Sequence, residues 1–126
     1  MEINPVAWFE IYVDDMPRAK AFYEAVFEVQ LEAIATPNDT ELEMWGFPSS
    51  MDHYGAAGAL AKMTNVSAGG NSTLVYFACQ DCAVQQARAK VQGGEIHNPK
   101  MSIGEHGFIS LVSDTEGNMI GLHSMV

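Results

Sequence analysis

Basic side chains are scarce in this chain: 6 Lys+Arg stand against 16 Asp+Glu, a formal net charge of −10. Binding to DNA, RNA or an anionic membrane surface rests on Lys and Arg contacts to phosphate. Here Arg18, Lys20, Lys62, Arg88, Lys90 and Lys100 are scattered along the sequence, which argues against nucleic acid and membrane as partners. Long hydrophobic runs are missing too. The longest, 74–79, has six residues, far short of a membrane span. The opening Met1-Glu2-Ile3-Asn4-Pro5 has neither the basic region nor the apolar core of a signal peptide. With only two cysteines, this predicts a protein of the reducing cytoplasm. There is no Walker-type phosphate loop, no G-x-S-x-G elbow and no H-E-x-x-H pair, so phosphoryl transfer and nucleophilic hydrolysis find no support.

What is present is enough for one domain. The 126 residues, 48% of them hydrophobic, make a single domain spanning 1–126. A chain of that length buries roughly two-thirds of its unfolded surface and needs neither disulfide nor metal to fold.

The sequence repeats itself. In 8–13, alternation puts Phe9, Ile11 and Val13 on one strand face and Trp8, Glu10 and Tyr12 on the other. Asp14-Asp15 offers a helix N-cap, Pro17 suits the first turn, and Ala19, Phe22, Tyr23, Val26 and Phe27 recur at helical spacing. The strand 74–79, the cap Asp81 and the stripe Ala83, Val84, Ala87 and Val91 restate this at a constant offset of 66 residues (Trp8 to Leu74, Asp15 to Asp81). Gly93-Gly94 ends the second helix where a left-handed cap would sit. Strand-like stretches follow each helix, at 29–35, 41–47 and 57–62, then at 95–101, 107–113 and 118–124. Gly117, in the loop 114–118, suits a positive φ. The expected fold is α+β: two tandem βαβββ modules, about 1–64 and 71–126, joined by a polar Gly-rich connector at 65–72. Neither half can bury a sheet face alone, so the modules pair within the chain or across a dimer, with mixed sheets curved around a cavity.

The opening F-E-I-x-V-D-D-M-x-R-A-x-x-F-Y (Phe9 to Tyr23), the closing D-T-E-G-N-x-I-G-L-H (Asp114 to His123) and the doubled module resemble the vicinal oxygen chelate superfamily. That group holds glyoxalase I, bleomycin-resistance proteins and extradiol dioxygenases, and the resemblance covers essentially the whole chain. It implies a homodimer, a small-molecule ligand and, in metal-dependent members, a divalent ion held by ligands on the first and last strand of each module. Aligned on this sequence, the first-strand positions are Trp8 and Leu74, one last-strand position is Gly121, and the other falls near Gly58 or Leu60. None of these has a side chain suited to such a cation, so no metal and no other cofactor is expected.

The candidate site is therefore built from other residues. Glu10 and His123 each lie two residues beyond an emptied ligand position, at one level of the expected cavity, as an acid–base pair. Trp8, Tyr12, Tyr76 and Trp45 offer aromatic walls for a planar or apolar molecule, whereas Phe47 and Phe108 read as core. Glu105-His106 belongs to a turn-rich rim that can close over a ligand; His53 and His97 are loop histidines of the same kind. Cys79-Gln80-Asp81-Cys82 sits at a strand-to-helix junction whose dipole would lower a thiol pKa, but the thioredoxin-like context is absent. Proton transfer at a carbon beside a carbonyl, of isomerase or lyase type, is the reaction such a site would support. The alternative is a non-catalytic sequestering binder like the bleomycin-resistance proteins. A metal-dependent lactoylglutathione lyase is disfavoured by the missing ligands and the shortage of basic side chains for the glutathione carboxylates.

Overall fold

The computed structural model describes residues 4–36, 41–50 and 52–126. Strand β1 (Trp8–Tyr12) leads into helix α1 (Met16–Phe27), and β2 (Glu32–Ile34), β3 (Glu43–Gly46) and β4 (Ala57–Lys62) complete the first module. The second runs β5 (Tyr76–Ala78), α2 (Cys82–Val91), β6 (Glu95–Ser102), β7 (Phe108–Ser113) and β8 (Met119–Ser124), with a 3-10 turn at Gly104–His106. Each module forms its own four-stranded mixed sheet, in the orders β1-β4-β3-β2 and β5-β8-β7-β6. The two sheets are not closed into one barrel. In both, the first and last strands pair in parallel and the remaining pairs are antiparallel.

Local sequence explains the helices. The Asp15 side chain accepts from the Arg18 amide at 3.0 Å, and Glu28 ends α1 in the left-handed region with φ 53°. Asp81 caps α2 through the Ala83 amide, and Gly93 (φ +99°) turns the chain out of it. The observed strands β2, β3 and β5 are shorter than the stretches that predict them, although Val75, Cys79 and Phe47 beside them still make backbone hydrogen bonds to β8 and β4.

The core lies between the sheets and the helices. Ile11, Val13, Leu60, Ile120 and Leu122 face Met16, Phe22, Tyr23, Val26 and Ala89. Phe77 joins the modules, 4.4 Å from the Phe27 ring centroid in a stacked arrangement and 6.1 Å from that of Phe9. A polar knot reinforces this seam. The buried Glu116 carboxylate, in the β7–β8 loop, accepts from the Asp14 and Asp15 amides (3.0 and 2.9 Å) and from both arms of the Arg18 guanidinium (2.6 and 2.9 Å). Asp114 accepts from the Tyr23 hydroxyl at 2.7 Å and from the Glu116 and Asn118 amides. Asn118 donates to the Tyr12 carbonyl at 2.9 Å, so the end of β1 is tied to the start of β8.

Candidate functional site

The first strand fixes the site. Phe9 and Ile11 enter the core, which turns Trp8, Glu10 and Tyr12 to the opposite face of the sheet, away from α1. There the Trp8 indole N–H donates to Glu10 Oε2 at 3.2 Å and the Tyr12 hydroxyl donates to Oε1 at 2.8 Å. The carboxylate pushes the Tyr12 phenol pKa up, through that hydrogen bond first, with partial burial and the direct charge adding to it. Tyr12 therefore stays a protonated donor and Glu10 an acceptor gripped from two sides.

In the second module the equivalent face carries Tyr76, Gly121 and His123. The Tyr76 ring lies over Gly121, where a Cβ would come 2.3 Å from Cδ1 of the ring. His123 Nε2 is 2.7 Å from the His106 carbonyl oxygen, to which it donates. That contact brings His106 beside His123, while the exposed His106 ring lies 3.9 Å from Glu105.

The predicted residues thus share faces but do not form one constellation. Glu10 and Tyr12 line a cavity of about 310 Å³ at the seam that does not include His123. Trp8 lines a depression of about 460 Å³ and Tyr76 a cleft of about 670 Å³. Trp45 is turned to the other face, in register with Leu60, and Lys20 Nζ sits 3.3 Å from its ring centroid. His53 and His97 are exposed. One residue escaped the sequence reading: Glu32 lies in one cross-strand row with Gly46, Ala59 and Glu10, on the Trp8 face. A three-residue strand is too short to show its alternation.

The positions at which the resemblance places metal ligands can be located by symmetry. Glu10 pairs with Ala59 as Tyr76, its counterpart 66 residues on, pairs with Gly121. The fourth seat is therefore Ala59, which corrects its placement at Gly58 or Leu60. Both of those face the helix layer: Leu60 is fully buried in the core, and a Cβ on Gly58 would strike the Phe9 ring. Trp8, Ala59, Leu74 and Gly121 supply no carboxylate, imidazole or carboxamide, and the Tyr76 ring fills the space a side chain at 121 needs. Among the described residues, no three His, Cys, Asp or Glu are grouped to share an ion. The residues present do not fit the family's metal.

The Cys79 thiol points away from redox chemistry. Burial pushes its pKa up to about 11, against the lowering expected from a helix start; the opposing effect of the His123 backbone does not offset burial. Cys82 is buried, its amide donating to Ser124 Oγ. At pH 8, iodoacetamide should modify Cys79 at least about tenfold more slowly than an unfolded-chain thiol. Mass spectrometry over a time course measures this; equal rates would refute the raised pKa.

Two matched β-α-β-β-β modules with a face-lining site on the first and last strands define a class of protein, and the comparisons agree. The profile of the Glyoxalase/Bleomycin resistance protein/Dioxygenase superfamily matches residues 4–122. The chain belongs to that superfamily. Among solved structures it is similar to a glyoxalase I mutant from Zea mays (TM-score 0.73, 17% identity, covering 96% of this chain and 47% of that one). The chain thus spans about half the length of that relative. It is also similar to TnmS3, an antibiotic binding protein from Streptomyces sp. CB03234 (TM-score 0.64, 23% identity, 98% of both chains). A third similar structure is a glyoxalase/bleomycin resistance protein from Albidiferax ferrireducens T118 (TM-score 0.64, 21% identity, 94% of this chain and 98% of that one). No curated protein matches the chain. Among the described residues, no helix is long and apolar enough to cross a membrane.

Proposed function

We propose that this protein binds a small organic molecule on the sheet faces turned away from the helices, which carry Trp8, Glu10 and Tyr12 in the first module and Tyr76 and His123 in the second, and does so without the divalent ion of its metal-dependent relatives. The observation that carries this reading is the content of the four ligand seats: an indole, a methyl, an isobutyl group and no side chain at all, the last beneath the Tyr76 ring. Aromatic surface has replaced coordinating groups, which suits a ligand held by ring contacts and a few polar groups. The similarity to an antibiotic binding protein along nearly the whole of both chains supports binding as the activity.

Binding without turnover is favoured over acid–base catalysis by one observation. No hydrogen bond joins Glu10 to His123: Glu10 is occupied by Trp8 and Tyr12, and His123 Nε2 by the His106 carbonyl. An isomerase or lyase step at a carbon beside a carbonyl would need one of them released to reach the substrate. Native mass spectrometry with elemental analysis of the purified protein tests the reading. The expected result is less than about one-tenth equivalent of zinc, nickel, iron or manganese, since no three protein ligands converge. The same spectrum reports a co-purifying small molecule and whether the protein is the homodimer that the family resemblance implies. One bound metal per chain would overturn the proposal.

A further inference from the structure

The six Lys and Arg side chains are segregated. Arg18 and Lys20 ride on α1, and Arg88 and Lys90 on α2. Lys62 pairs in register with Glu43, on the strand side shared by Trp45 and Leu60. Lys100 reaches Asp81 at 2.8 Å and stands 4.8 Å from the Phe108 ring centroid. All six belong to the helix layer or the sheet side facing it. The opposite face therefore carries no Lys or Arg, yet it holds Glu10 and Glu32.

Among the described residues neither carboxylate has a cationic partner within 4.0 Å. Glu10 is kept in place by neutral donors, the Trp8 indole and the Tyr12 hydroxyl. Glu32 stands across the depression of about 460 Å³ that it lines with Trp8, Ile34 and Gly46. Trp8 remains 43% exposed, so indole surface is free beside the uncompensated negative charge of Glu10 and Glu32. His123, on the corresponding face of the second module, has its Nε2 already committed.

An anionic ligand meets no Lys or Arg among the residues lining the depression of Trp8 and Glu32 and is repelled by a chain of charge −10. A cation finds a carboxylate already oriented and an indole alongside, the pairing that makes cation–π contacts strong. Resting on the reading of this face as a ligand site, we infer that the ligand is a small organic cation with a flat or aromatic body. Its ring lies against Trp8 and its ammonium or amidinium group beside Glu32, which lines the same depression, with the Glu10 carboxylate behind the indole adding to the negative field.

The test is an NMR titration of the ¹⁵N-labelled protein with benzyltrimethylammonium, benzyl alcohol and benzoate, read at the Trp8 indole N–H, which Trp8→Phe assigns against Trp45. The cation should bind at least about tenfold more tightly than the alcohol, and benzoate more weakly than either. Glu10→Gln with Glu32→Gln should bring the cation to the affinity of the alcohol; both positions are exposed, and the dispersion of the other amides reports that the fold is kept. Equal affinity for cation and alcohol, or a preference that survives the double substitution, overturns the cation inference and leaves the small-molecule reading standing. If none of the three probes moves the Trp8 signal, both fall.

Discussion

Replacing Glu116 with alanine should lower the free energy of unfolding at pH 7 by about 3–5 kcal/mol, the loss typical of breaking a buried, hydrogen-bonded ion pair from one side. Its carboxylate is inaccessible, whereas half of the Arg18 side chain is in water, so the loss comes mainly from Glu116's other partners. Without the carboxylate the Asp14 and Asp15 amides, at the entry to α1, lose their acceptor, and one of the polar ties between the modules is lost while those of Asp114 and Asn118 remain. Urea unfolding measures the cost. The pH dependence isolates the charge. Burial alone would raise the Glu116 pKa, but the Arg18 guanidinium, the Asp15 amide, the Thr115 hydroxyl and the Asp14 amide outweigh it and hold the group at about 2, below its ordinary 4.5. A folded-state pKa depressed in this way stabilises the protein fully above about 4.5, and the gain is lost as pH falls through about 2. The gap between wild type and Glu116→Ala should therefore narrow from pH 5 to pH 2. A gap that stays constant would mean that packing, not the ionised carboxylate, does the holding.

The same residue shows what sequence reading reaches and what it does not. The doubled module, both caps and the strand alternation were legible because each rests on neighbours a few residues apart. Asp15, Asp81 and the positive φ at Gly117 (+82°) sit where turn and capping chemistry put them. The Trp8, Glu10 and Tyr12 face was legible for the same reason: period 2 leaves Phe9 and Ile11 no other side than the core. The contacts of Glu116, about a hundred positions from its partners, carry no local signature. Trp45 was misjudged because aromaticity does not tell the two faces of a strand apart; register with Leu60 and the reach of Lys20 decide that. The fourth ligand position was read near Gly58 or Leu60, and only strand pairing moves it to the row of Ala59, since a slip of one residue exchanges the faces.

Strand pairing also sets the second large effect, at Gly58. Gly58→Ala should destabilise the protein by about 3 kcal/mol, at the upper end for overpacking a well-filled core. The added methyl would lie 2.3–2.4 Å from three atoms of the Phe9 ring. That ring cannot step aside, with Phe47 at 5.8 Å and Phe77 at 6.1 Å between centroids. Nor can the backbone: Gly58 is in register with Phe9 on β1, and its carbonyl accepts from the Phe47 amide at 2.9 Å. Thermal or urea unfolding reads the loss, and Phe9→Leu in the same chain should return part of it, since residues in contact do not act additively. Gly121→Ala is the informative contrast. Its methyl would also lie 2.3 Å from a ring, that of Tyr76, but that ring is 46% exposed and can swing outward. Its cost should stay near or below about 1 kcal/mol, while the face proposed to meet the ligand loses the Tyr76 ring as a wall. A Gly121 penalty as large as that at Gly58 would show that Tyr76 is held as rigidly as Phe9, a structural fixture rather than a wall free to meet a ligand.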